Sequence, residues 1–400
     1  MKILFLCNKS PYPPKEGGPM AMNANIEGLI AAGHQVKVLA LNTNKYFIKR
    51  SEIPNDYIKQ TQIEFVYQDL SVKPFDAFLN LFSTKSFHVE RFISEAFAEK
   101  VVEVLERDKY DIVQLEMLYM TPYIDVIRNH SKAKIILRSH NVEHLIWQRV
   151  TANTDNTIKR SYLAGLTRKL KNYELNAINQ YDGIATISKK DAEFYLNNNA
   201  TIPVEDVSFG VDMKKYNVST EPYEFPSLFH LGSMNWMPNE EGIKWFIDNA
   251  WNLIAEKFPT LKFYLAGRMM PEWIENLNIS NVEVIGEVEN AQKFINSKSI
   301  MIVPLFSGSG IRIKIIEGMA LGKPIISTEI GAEGINYTNG SNILIANTPE
   351  EFLQAIERFV SSRDFCEEVG KNARKLIEDD HDIDKITQKL LAFYQRVLKN

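Results

Sequence analysis

Cysteine is nearly missing from this chain of 400 residues: Cys7 and Cys366 are the two, far apart and without ligand spacing around either. That argues against a disulfide framework or a zinc site and fits a reducing compartment. Long apolar runs are missing too; no stretch approaches the roughly 18 apolar residues a spanning helix needs. The opening MKILFLCN has one lysine and a short apolar run, then meets polar, proline-rich sequence without a small-residue cleavage site. It reads as a first β-strand, not a secretory leader, so a cytoplasmic location is expected. Nor is charge of one sign in excess. Lys and Arg number 46 against 50 Asp and Glu, a net charge of -4, which argues against nucleic acid as a partner. Local basic clusters can still meet phosphates or anionic lipid. With 45% hydrophobic and 24% charged residues the chain is of globular type, and its length suits two domains.

What is present is an alternation of short Val-, Ile- and Leu-rich runs with helical patterns. The runs are 2–7, 35–41, 63–67, 111–115, 134–137 and 183–187, then 207–210, 228–231, 262–266, 282–285, 299–305, 324–327 and 343–345. Runs apolar on both faces between helices indicate parallel strands covered on both sides, so the fold class is doubly wound α/β, occurring twice. Pro19 fits the first turn of a helix to about Ala32, with Gly33 ending it. Ser188 with Asp191, and Thr348-Pro349-Glu350-Glu351, are helix-start signals. A long charged helix is expected over 158–180. Periodicity is lost between 197 and 205, which divides the chain into domains 1–200 and 201–382. The last helix, within 383–400, is compatible with either half.

Four segments carry chemistry. In 11–20 (PYPPKEGGPM), Gly17 and Gly18 permit positive φ and close backbone approach just before a helix whose free N–H groups suit an anion or sugar. It lacks G-x-G-x-x-G, so the dinucleotide fingerprint fails, and an ordinary strand-to-helix loop is the alternative. In 138–143 (RSHNVE), titratable residues crowd the carboxyl end of a strand, where open α/β sheets bind ligands. His140 can donate to a hydroxyl or phosphate oxygen and Glu143 can accept from a sugar; a histidine bonded to a neighbouring loop is the alternative. In 231–239 (LGSMNWMPN), Gly232 allows a tight turn and Ser233 and Asn235 offer small polar groups, while Trp236 and Met237 read as packing. The strongest is 307–317 (SGSGIRIKIIE). Gly308, Ser309 and Gly310 can cradle a phosphate with backbone N–H groups as a helix begins. Arg312 and Lys314 oppose the helix dipole in its first turn, so an anionic partner explains them. Glu317, one turn on, can accept from both hydroxyls of a ribose. The alternative is a solvated Arg/Lys/Glu face, for which the isoleucines around them leave little room.

The segment 75–97 is rich in phenylalanine. Phe75, Phe78 and Phe82 fit a helical stripe of core packing; the functional alternative is an acceptor or membrane-surface patch for a lipid-linked substrate.

GSGIRIKIIEGMALGKPIIST (308–328) is similar to the glycine-rich turn and donor-binding helix of bacterial glycosyltransferases of family 4, polysaccharide-assembly type. FGVD (209–212) resembles that family's N-G-V-D strand end, with Phe209 where asparagine is usual, and FHLGSMNWMPN (229–239) resembles a version found in some members. The resemblance spans essentially the whole chain. It implies the GT-B fold: two Rossmann-like domains facing each other across a deep cleft, the first on the acceptor side, with the last helix crossing back to it. It implies transfer from a UDP- or GDP-sugar to a hydroxyl of a glycan or lipid-linked glycan with retained configuration, without metal or other cofactor. Peripheral contact with the inner face of the membrane would suit a lipid-linked acceptor.

Residue by residue, Glu317 matches the second glutamate of the family's E-x7-E motif, the ribose ligand. The first falls at Ser309, so the motif is broken there. Arg312 and Lys314 match the pair that contacts diphosphate and sugar, and would stabilise the charge that develops as the diphosphate leaves. His140 matches a histidine that contacts the donor sugar, and Gly17 and Gly18 match the loop near the phosphates. The usual Arg and Lys after the second domain's first strand are missing from GSMNW, which holds Ser233 and Asn235 instead. Two other readings stand beside this one: a nucleotide-sugar epimerase of the same fold, and a catalytically inactive nucleotide-sugar-binding partner subunit.

Overall fold

A computed structural model describes residues 1–14, 17–71, 80, 82–308 and 310–400. Within them the apolar runs form two parallel sheets, each belonging to its own compact unit: Met1–Gly210 with Ile383–Asn400, and Val211–Asp382.

The first unit's strands are β1 (Lys2–Cys7), β2 (Gln35–Thr43), β3 (Glu64–Gln68), β4 (Ile112–Glu116), β5 (Lys134–Ser139), β6 (Gly183–Thr186) and β7 (Val204–Asp206), in the order β3-β2-β1-β4-β5-β6-β7. The second unit's are β8 (Ser227–Leu231), β9 (Lys262–Ala266), β10 (Val282–Gly286), β11 (Ile300–Val303), β12 (Ile325–Ser327) and β13 (Leu344–Ile345), in the order β10-β9-β8-β11-β12-β13. In each sheet the winding reverses beside the first strand, between β1 and β4 and between β8 and β11. Those switch points open crevices at the strands' carboxyl ends. Ile3 to Cys7 of β1, and Ile300 to Val303 of β11, are fully buried, which is why these strands read as unbroken apolar runs.

Three expectations are corrected. The run 207–210 is not a strand: β7 lies just before it, pairing Val204 to Asp206 with β6, and Val207 and Phe209 are buried without extending the ladder. The stretch 197–205 therefore contains part of the first unit's edge strand, and the boundary falls after Gly210. Pro19 does lie in the first turn of the helix Gly17–Ala31, but Gly17 and Gly18 are part of that helix instead of preceding it, and neither has a positive φ.

Helix Thr157–Ala177 continues as a 3-10 turn to Gln180. Ser188 accepts from the Asp191 N–H, and Thr348 and Glu351 form a reciprocal capping box. The last helix, Ile383–Lys399, belongs to the first unit, burying Ile386, Leu390, Phe393, Tyr394 and Val397 along one face. The Tyr394 hydroxyl donates to Gln114 on β4. Among the described residues, no helix is long and apolar enough to cross a membrane.

Candidate functional site

In the second unit the segments after β8 and β11 flank the switch point. Gly308 (φ 96°) and Gly310 (φ 78°) hold left-handed backbone on the approach to helix Ile313–Ala320, a conformation that disfavours any Cβ. A Cβ on Gly308 would also come within 3.0 Å of the Trp236 ring and 3.2 Å of Arg312 Nη2. Ser309, between them, lies outside the described residues. Arg312 is the N-cap residue of the helix and is buried, its Nη1 donating to the Gly310 carbonyl and its guanidinium 5.4 Å from the Trp236 ring centre. Trp236 is thus a partner of Arg312 rather than core packing. Met237 is 61% exposed, so the packing expected of it is also overturned; Met234 is the buried methionine of that turn.

Lys314 turns its amine toward the end of β8. Nζ donates to Asn239 Oδ1 at 2.6 Å and lies 3.4 Å from His230 Nε2. Asn239, in helix Met237–Trp245, donates its amide to the Ser233 carbonyl at 2.8 Å, which aims its oxygen at the amine. His230 donates from Nδ1 to the Ile302 carbonyl at 2.8 Å, which puts the ring's lone pair on Nε2, toward Lys314. Gly232 leaves the room this requires, because a Cβ there would stand 2.4 Å from Nζ. Burial, with Arg312 as a like charge, brings the Lys314 amine down to about 7. Ser233 donates its hydroxyl to Asn235 Oδ1 at 2.8 Å.

One turn along the helix, Glu317 Oε1 accepts from the Tyr216 hydroxyl at 2.9 Å. Burial raises its carboxyl above the ordinary value, and the tyrosine bond works against that rise.

In the first unit, His140 follows β5 and is buried, with Nε2 2.6 Å from Glu116 Oε2 at the end of β4. Glu116 Oε1 accepts from Gln114 Nε2 at 2.6 Å. Arg138, fully buried, donates to the carbonyls of Thr186 (2.7 Å), Ala185 (3.3 Å) and Ser208 (3.2 Å), and burial brings it down to about 10. The carboxylate fixes the histidine ring, so Nδ1 is the atom left to meet a ligand: an acceptor in the neutral ring, a donor in the charged one. Gly17 and Gly18 begin the helix that follows β1, at the same carboxyl edge of the sheet, with β4 between β1 and β5.

Glu143 is not placed to take a sugar. It is buried, with Oε2 accepting from Tyr119 at 2.7 Å and Oε1 without a partner, and burial pushes its carboxyl up to about 7. Glu174 caps the same helix, accepting from the N–H groups of Glu143 (2.9 Å) and His144 (3.1 Å) and from the His144 ring (2.7 Å).

Of the phenylalanine segment, Phe75 and Phe78 lie outside the described residues; Phe82 is 79% exposed, Phe87 and Phe97 are buried, and Phe92 stacks on Tyr119.

Sequence reasoning missed His230, Asn239, Tyr216 and Glu116. A signal existed for two of them. His230 and Glu116 are polar residues at the ends of runs expected to be buried on both faces, which demands a partner.

Residues 225–362 match the family described as Glycosyl transferases group 1. Over 405 aligned residues the chain is 22% identical to an uncharacterized 44.6 kDa protein in the cps region of Klebsiella pneumoniae, covering 96% of this chain and 97% of that one. Among solved structures it is similar to sucrose-phosphate synthase from Thermosynechococcus elongatus, with a TM-score of 0.72, 14% identity and all of both chains covered. It is also similar to HepE of Anabaena in complex with UDP and glucose, with a TM-score of 0.65, 14% identity and 99% of each chain covered.

Proposed function

We propose that this chain, a glycosyltransferase of the GT-B fold whose residues 225–362 belong to glycosyl transferases group 1, moves a sugar from a nucleoside-diphosphate donor to a hydroxyl acceptor. The observation that carries the donor assignment is the pairing of Arg312 and Lys314 at the N-terminus of helix Ile313–Ala320, with Lys314 held by two neutral acceptors at a switch point. A buried guanidinium and a half-buried lysine amine at a positive helix end suit an anion, and a diphosphate has the charge and the length to meet both.

In this proposal Gly308, Ser309 and Gly310 bind phosphate oxygens through the backbone, and Arg312 and Lys314 stabilise the departing diphosphate. Glu317 takes the ribose hydroxyls with the carboxylate oxygen that Tyr216 leaves, and Ser233 and Asn235 line the donor side. His140, Gly17 and Gly18 keep the roles that the family resemblance gives them. UDP or GDP is the nucleotide, supported by the UDP in the HepE structure. The acceptor is a glycan or lipid-linked glycan, supported by the cps-region setting of the Klebsiella relative. Retention of configuration, independence of metal, and action at the cytoplasmic side of a membrane complete the reading.

The test is to incubate the chain with UDP- and GDP-sugars, with and without a glycan acceptor, in the presence of EDTA. Release of UDP or GDP that depends on acceptor, with the product's anomeric configuration unchanged by NMR, is expected. Interconversion of the nucleotide-sugar alone would point to an epimerase, and binding with neither outcome to an inactive partner subunit.

A further inference from the structure

Lys314 has an unusual charge environment. The two groups that hold its amine, Asn239 Oδ1 and His230 Nε2, are neutral acceptors fixed by their own hydrogen bonds. The His230 ring is kept from ionising by burial. Arg312, the charged neighbour that acts on the amine, has the same sign. Carboxylates on the surrounding elements are engaged elsewhere: Glu240 with the Trp273 indole, Glu241 with Ser307, and Glu317 with Tyr216. An ammonium held among neutral acceptors beside a like charge is costly, whereas an amine with two acceptors is well satisfied. A diphosphate brought to the same place reverses the balance by supplying the missing counter-charge.

We propose that Lys314 stands as a neutral amine before the donor binds, positioned by His230 and Asn239, and takes up one proton from solvent when the donor's diphosphate arrives. The inference rests on the donor-site reading above. It makes donor binding a proton-coupled step and gives the site two positioning residues, His230 and Asn239, that act through Lys314. The proton gained at Nζ then stays through the departure of the diphosphate, adding charge where negative charge develops, and returns to solvent when the nucleotide leaves.

The experiment is calorimetric titration of UDP and of GDP into the full chain at pH 8 and pH 7, in buffers of different ionisation enthalpy. At pH 8 the terminal phosphate, with its second pKa of about 6, is already ionised, so uptake reports the protein. Close to one proton per nucleotide at pH 8 and about half at pH 7 are expected for the wild type. Lys314→Arg, permanently charged, should bind nucleotide with no uptake. Asn239→Asp, which sets a carboxylate where the 2.6 Å acceptor stands, should likewise abolish uptake by charging the amine beforehand. His230→Leu should keep the uptake and weaken binding about threefold or more, because the amine loses an orienting acceptor. Wild-type binding without proton uptake would overturn the inference and leave the donor reading intact. Unchanged affinity in His230→Leu would remove His230 from it. Failure of both UDP and GDP to bind would overturn the donor reading itself.

Discussion

Burial decides what each ionisable side chain at these sites can do. Arg312 cannot shed its proton in the working range, so its charge is anchored by carbonyls and an aromatic face. Lys314 can, and its neighbours accommodate the neutral form. Glu143 shows the same physics in a carboxyl of the first unit. Its folded-state value of about 7 lies above the ordinary 4.5, so its contribution to stability is present below about pH 4.5 and is lost as pH rises through 7. Glu143→Gln should therefore stabilise the first unit by roughly 3 kcal/mol at pH 8 and by about 1 kcal/mol at pH 5. Thermal or urea midpoints of both proteins at the two pH values check this, and equal shifts at both would contradict it. At this scale the sequence was informative where chemistry and backbone coincide. Gly308, Gly310, Arg312 and Lys314 stand out because small residues and cations crowd a helix start. Asn239 and Tyr216 did not stand out, since a neutral side chain that aims another one leaves no charge or spacing signal.

Among the elements, the parallel strands were legible because burial on both faces leaves little but Val, Ile and Leu. Helix starts with side-chain caps, at Ser188 and Thr348, were equally legible. Pro19 marked the first turn of the first helix, but that Gly17 and Gly18 are helical was not legible, because glycine carries no helix signal of its own. β7 was displaced because Val204-Glu205-Asp206 is a half-buried edge strand with two acids in three residues, while the apolar Val207 and Phe209 beside it look more strand-like. The last helix ties itself to β4 through Tyr394 and Gln114, both buried. Tyr394→Phe leaves the Gln114 oxygen without its donor and should destabilise the first unit by about 1–3 kcal/mol. A lower unfolding midpoint with unchanged nucleotide affinity is the expected outcome. An unchanged midpoint would show that the bond contributes nothing net.

For the whole molecule, the doubling of the α/β pattern was visible from strand count and alternation alone, although the two halves share no sequence repeat. The assignment of the last helix to the first unit came from the family resemblance alone, because an amphipathic face records that it is covered and not by what. Each unit presents its candidate residues at the carboxyl edge of its own sheet, and the donor assignment belongs to the second unit, where residues 225–362 match a glycosyltransferase family. The most direct test is therefore calorimetric titration of UDP and GDP into wild type and into the double variant Arg312→Ala, Lys314→Ala. One of the two nucleotides should bind the wild type and lose at least about tenfold in affinity in the variant, roughly 1.4 kcal/mol or more, with the variant still folded by circular dichroism. A folded variant that binds the preferred nucleotide as tightly as wild type would contradict the assignment of the diphosphate to these two cations.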